Sequence, residues 1–125
     1  MQKKIISYDF TKRTSSKVFE PKKIDNLKKI LLYAKKQKKK IICKGSNLSY
    51  GDQYFNNNNI IISLIYFKKI LKYDNSKGII NVQSGCKISE ILSKITSDGW
   101  IMTGLPGHPE VTVGGSISSN VHGKE

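Results

Sequence analysis

The chain has 125 residues, enough for one domain with its own core, and 38% of them are hydrophobic. Its longest apolar run, Ile60 to Phe67, is far too short to span a bilayer, and no apolar signal segment follows the charged start Met1-Gln2-Lys3-Lys4. No transmembrane segment and no secretion are expected from these features, and the expected compartment is the cytoplasm. The 22 Lys and Arg against 9 Asp and Glu give a net charge of +13, which attracts nucleic acid, membrane or an anionic ligand. Every basic residue except Arg13 is lysine, and the lysines are spread along the whole chain. Bidentate contacts to phosphates and bases favour arginine, so nucleic acid is not expected as a partner. Cys43 and Cys86 form no CxxC pair and show no metal-ligand spacing; both are expected as reduced core thiols, with no metal.

Residues 1–20 show little periodicity and read as a polar lead-in anchored by Tyr8, Phe10, Val18 and Phe19. From Pro21, the spacing of Ile24, Leu27, Ile30, Leu31 and Ala34 predicts an amphipathic helix with Asp25 in its first turn. The run Lys35 to Lys40 suits the positive end of that helix better than a binding patch. A short strand over 40–44 runs into the loop Gly45-Ser46-Asn47-Leu48-Ser49-Tyr50-Gly51-Asp52, and Asn56–Asn59 reads as a solvated turn. A buried strand is expected at 60–64. A hairpin turn is expected at Asp74–Gly78, with Ile79 to Gln83 as the returning strand. Ile88, Ile91, Leu92 and Ile95 predict a second helix ending before Gly99, followed by a short strand at Trp100-Ile101-Met102.

Two glycine loops carry the chemistry. The first follows a strand, where backbone N–H groups and small hydroxyls suit phosphate oxygens. It is neither a GxGxxG fingerprint opening a helix nor a P-loop with GK[ST]. The second runs from Leu105 to Lys124 and is so rich in glycine, proline and hydroxyl residues that it reads as neither helix interior nor plain strand. His108, beside Pro109, reads as a loop residue, whereas His122 and Lys124 are placed to meet a ligand. The fold class is α+β. The chain stops at Glu125, directly after His-Gly-Lys, and is expected to be part of a longer protein.

Taken together, the following motifs resemble the FAD-binding domain of the vanillyl-alcohol-oxidase-type (p-cresol-methylhydroxylase-type, PCMH-type) flavoproteins. They are Lys44–Asp52, Val82-Gln83-Ser84-Gly85, Gly99-Trp100, Leu105-Pro106-Gly107, Val111-Thr112-Val113-Gly114-Gly115 and Asn120-Val121-His122-Gly123-Lys124. The likeness runs from about Pro21 to the end and is nearest to the decaprenylphosphoryl-ribose oxidase branch, with the aldonolactone and alditol oxidases more distant. It implies a domain of two small α/β subdomains, truncated before a substrate domain, with 1–20 as lead-in and 21–125 as the incomplete FAD-binding domain. Lys44, Gly45, Ser46, Asn47, Leu48, Ser49, Tyr50, Gly51 and Asp52 would hold the FAD pyrophosphate. Gly107, Thr112, Val113, Gly114 and Gly115 would line the middle of the cofactor, and Ser119, Asn120, Val121 and His122 would run towards its ring.

The resemblance also places His122 and Lys124 beside flavin and substrate as the catalytic pair, where a cation balances charge building on the ring. Many relatives attach FAD through a histidine in the first loop. Asn47-Leu48-Ser49 has none, so non-covalent FAD is expected. The close relatives also carry more glycine and an arginine in this loop, where Ser46, Asn47 and Leu48 stand here.

The implied activity is oxidation of a sugar or sugar-phospholipid secondary alcohol by hydride transfer. No carboxylate here claims the role of base, which is expected beyond Glu125. Oxygen, a quinone or a partner reductase remain open as acceptor, and a lipid-linked substrate goes with work at the inner membrane face. The alternative is a non-catalytic basic module binding nucleotides or nucleic acid.

Overall fold

The computed structural model describes residues 2–123, which form two compact units divided between Tyr66 and Phe67. In the first unit, β1 (Gln2–Ile6), β2 (Arg13–Phe19), β4 (Ile60–Ser63) and β3 (Ile41–Lys44) make one sheet in the order β1-β2-β4-β3. β1 and β2 pair antiparallel, while β4 pairs parallel with both β2 and β3. Helix α1 (Ile24–Lys36) links β2 to β3. Its Leu27, Ile30 and Ala34 cover Ile60 and Ile62, while Ile61 faces Ile5, Val18 and Tyr54 on the other side of the sheet. With both faces covered, β4 reads as an unbroken apolar run rather than an alternating one. Burying each of these isoleucines stabilises the fold by about 2 kcal/mol. Lys35 and Lys36 occupy the last turn of α1, so the lysine run begins as a helix end, as expected.

The second unit holds the antiparallel hairpin β5 (Ile70–Asp74) and β6 (Ile79–Val82), helix α2 (Ile88–Ile95), a 3-10 turn over Thr96–Asp98, and helix α3 (Val113–Ser118). Asp74 shapes the hairpin turn by accepting hydrogen bonds from Ser76 Oγ (2.7 Å) and the Lys77 amide (3.2 Å). Ile88, Ile91 and Ile95 bury one face of α2 with Cys86, against Tyr73, Ile80, Val82 and Met102. Gly99 ends that segment at φ +80°, a left-handed conformation that glycine adopts without steric cost.

Several expectations are corrected. Residues 1–20, read above as a polar lead-in of little periodicity, carry the strands β1 and β2. The positions of β2 that turn inward are Thr14, Ser16 and Val18, so its period of two is written mostly in hydroxyls. Ser16 Oγ donates to the Asn56 carbonyl at 2.7 Å, which makes its burial tolerable. Trp100-Ile101-Met102 has no strand partner and is not a strand. The second glycine loop contains a helix, α3, despite Gly114 and Gly115. Cys86 is buried, but Cys43 is exposed on β3 and is not a core thiol. The Asn56–Asn59 turn is tied down rather than merely solvated. Asn56 Nδ2 donates to the carbonyls of Lys40 (3.0 Å) and Ile60 (2.8 Å), and Asn59 Oδ1 accepts from the Lys40 amide (3.1 Å).

Candidate cofactor site

The first glycine loop leaves the carboxyl end of β3, beside the end of its parallel neighbour β4; Lys44 and Ser63 are paired across the two strands. Ligands of parallel α/β sheets collect at such carboxyl ends. Among the described residues, none accepts a hydrogen bond from the backbone amides of Gly45 to Gly51. Asn47 (φ +61°) and Gly51 (φ +76°) bend this segment through the left-handed region. Asn47 holds that conformation with Oδ1 accepting from Lys44 Nζ at 2.9 Å. The hydroxyl oxygens of Ser46 and Ser63 are buried and have no partner among the described residues. A buried hydroxyl without a partner costs about 1–3 kcal/mol. Two of them beside a run of unengaged amides are therefore a donor set awaiting an acceptor.

The rest of the loop is more ordinary. Leu48 and Ser49 are half-buried. Tyr50 is 72% exposed and meets Tyr8 edge to face at 5.6 Å. Asp52 pairs with Lys12 at 3.0 Å, and that ammonium holds its carboxyl below the usual range.

The second loop is arranged differently. Its amides at Val113, Gly114 and Gly115 donate to Cys86 O (2.9 Å), Ser84 O (2.8 Å) and Thr112 Oγ1 (3.2 Å). Thr112 is thus a helix N-cap, and these amides are spent inside the fold. Gly114 is glycine for packing, because a Cβ there would lie 3.0 Å from the Ser84 Cβ and 3.1 Å from its carbonyl oxygen. The loop closes on itself at Gly123, where a Cβ would sit 1.8 Å from the Leu105 carbonyl oxygen. Gly107 is exposed, with open space where its side chain would be.

Glu110 accepts from Lys87 Nζ (2.6 Å) and Ser89 Oγ (2.8 Å), which holds its carboxyl below the ordinary range. His108 is exposed, and its Nδ1 accepts from the Glu110 amide at 3.2 Å. Ser119, Asn120, Val121 and His122 are exposed, and His122 Nδ1 lies 3.0 Å from the Asn120 carbonyl. Since a carbonyl only accepts, this contact is a hydrogen bond when Nδ1 carries a proton. Lys124 lies outside the described residues.

Residues 15–125 match the family described as the FAD binding domain, and the chain belongs to that family. FAD is therefore its cofactor, and the fold is that of PCMH-type flavoenzymes. The donor set of the first loop fits a pyrophosphate: unengaged amides, buried hydroxyls and Lys44 all favour an anion. The chain is 30% identical over 84 residues to decaprenylphosphoryl-β-D-ribose oxidase of Mycolicibacterium smegmatis, covering 67% of this chain and 18% of that protein. It is also 30% identical over 114 residues to a probable mitochondrial D-2-hydroxyglutarate dehydrogenase of Oryza sativa, covering 90% and 20%. The fold matches cholesterol oxidase from B. sterolicum with a TM-score of 0.76 at 17% identity, covering 98% of this chain and 24% of that one. The chain therefore spans only about a fifth to a quarter of these relatives. Among the described residues, no helix is long and apolar enough to cross a membrane.

Proposed function

We propose that the whole protein is an FAD-dependent oxidoreductase that oxidises a secondary alcohol of a sugar or sugar phospholipid, with FAD held non-covalently. The observation that carries this reading is the first loop, where unengaged amides and the orphaned Ser46 hydroxyl stand at the carboxyl end of β3 in a chain of the FAD binding domain family. Among the relatives, a decaprenylphosphoryl-ribose oxidase supports the sugar-phospholipid class. Bound FAD supplies a two-electron acceptor for the hydride of the alcohol carbon.

The chain's own residues bind and orient. Gly45 to Gly51 donate N–H groups to the pyrophosphate, with Lys44 and Asp52 flanking them. The resemblance assigns Gly107 and the segment Thr112 to Gly115 to the middle of the cofactor; of the three glycines there, Gly107 leaves open space where a side chain would be, while Gly114 and Gly115 are packed. His122 orients a substrate hydroxyl, and Lys124 adds positive charge where negative charge builds. The reading places the base beyond Glu125, and oxygen, a quinone or a partner reductase takes the electrons onward. A lipid-linked substrate and the charge of +13 suit a cytoplasmic protein working at an anionic membrane face.

The test is the absorption spectrum of the purified whole protein before and after acid precipitation, followed by turnover of a polyprenylphosphoryl pentose. Flavin released to the supernatant, together with turnover, supports the reading. Colour kept in the pellet overturns non-covalent binding, and no flavin after reconstitution overturns the enzyme.

A further inference from the structure

We infer that Ser63, at the carboxyl end of β4, is a cofactor-binding residue whose hydroxyl donates to a pyrophosphate oxygen from the sheet side while the first loop donates from its backbone. This rests on the reading of that loop as the pyrophosphate site. Ser63 is 0% exposed, and its Oγ has no partner among the described residues. Packing alone does not ask for a serine here: the three preceding residues of β4, Ile60, Ile61 and Ile62, are all buried isoleucines. Alternation along the strand puts Ser63 on the face of Ile61, away from α1 and the face of Ile60 and Ile62.

Its registered neighbour across the parallel ladder is Lys44, the last residue before the loop, and Lys44 Nζ reaches the loop residue Asn47. Ser46, one residue into the loop, is the other buried hydroxyl without a partner. Ser63 thus stands at the end of β4 and Ser46 just past the end of its parallel neighbour β3, beside Lys44, which donates to Asn47, and loop amides with no acceptor among the described residues. A hydroxyl supplies one O–H donor, and a bridging diphosphate supplies acceptor oxygens on more than one side.

The proposal makes a prediction that a purely structural serine does not. Without ligand, Ser63→Ala removes an unsatisfied group, so the melting temperature of the apoprotein stays level or rises. With ligand, the same substitution removes a donor. In the whole protein, FAD affinity measured by fluorescence quenching is expected to fall about tenfold, and the affinity for ADP, which carries the diphosphate without the flavin, by the same factor. Ser63→Cys keeps the shape with a weak donor and is expected to follow Ser63→Ala, should alanine disturb the strand. Unchanged FAD affinity in both variants, or a loss for FAD without a loss for ADP, overturns the role of Ser63. Wild-type protein that binds neither FAD nor ADP overturns the underlying reading of the loop instead.

Discussion

The two glycine loops look alike in sequence and differ in what their backbones do. Among the described residues, the amides of the loop over 45–51 have no acceptor, and the loop buries a hydroxyl without a partner. The loop over 105–123 spends its amides at 113–115 inside the fold, caps a helix with Thr112 and meets its own start at Gly123. Glycine serves opposite ends in the two. In the second loop it lets protein backbone approach protein backbone. In the first, Gly51 turns the chain at positive φ with only the Gln53 side chain near its would-be Cβ. Glycine richness alone therefore does not mark a ligand cradle; the hydrogen-bond inventory does.

The contrast can be broken by substitution. The largest effect is expected for Gly123→Ala, whose methyl would overlap the Leu105 carbonyl. A loss on the order of 3 kcal/mol or more in urea-unfolding stability is expected. Next comes Thr112→Ala, which removes the N-cap of α3 and should cost about 1 kcal/mol by the same measurement.

Glu110→Gln should cost less, and its signature is pH dependence. The folded Glu110 carboxyl is held below its ordinary range, chiefly by its hydrogen bond with Lys87. Its contribution is present above the ordinary glutamate pKa and lost as pH falls through the lowered one. An acid titration of the melting temperature should therefore be flatter for Glu110→Gln than for the wild type. The smallest change in stability is expected in the first loop. Ser46→Ala should leave the apoprotein's melting temperature level or slightly raised, yet weaken FAD binding by fluorescence quenching. A destabilised Ser46→Ala apoprotein would make the two loops equivalent and remove the contrast.

Much of this arrangement was legible in the residues, and what was not has physical causes. The helix faces of Leu27, Ile30 and Ala34 and of Ile88, Ile91 and Ile95 read directly, because apolar residues recur at helical spacing and pack. β2 escaped because its inward positions at Thr14 and Ser16 are hydroxyls satisfied by hydrogen bonds to partners forty or more residues away in sequence. α3 escaped because Gly114 and Gly115 are poor helix formers. Trp100 and Ile101 read as a strand from propensity, yet β5 and β6 pair only with each other. Both loops were recognisable as motifs. That only one keeps its amides unengaged depends on Cys86 and Ser84, which sequence spacing does not bring into view.

The hairpin turn of the second unit has a practical corollary. Trp100, the sole tryptophan of the chain, donates Nε1–H to the Asn75 carbonyl at 2.8 Å, and its ring lies where a Cβ on Gly78 would be. Its emission is therefore a built-in optical probe of the second unit. Circular dichroism, by contrast, sums the helices of both units. Coincident melting curves by the two methods would mean that the units lose structure as one cooperative block. An earlier fluorescence transition would mean that the unit carrying the sealed loop gives way first.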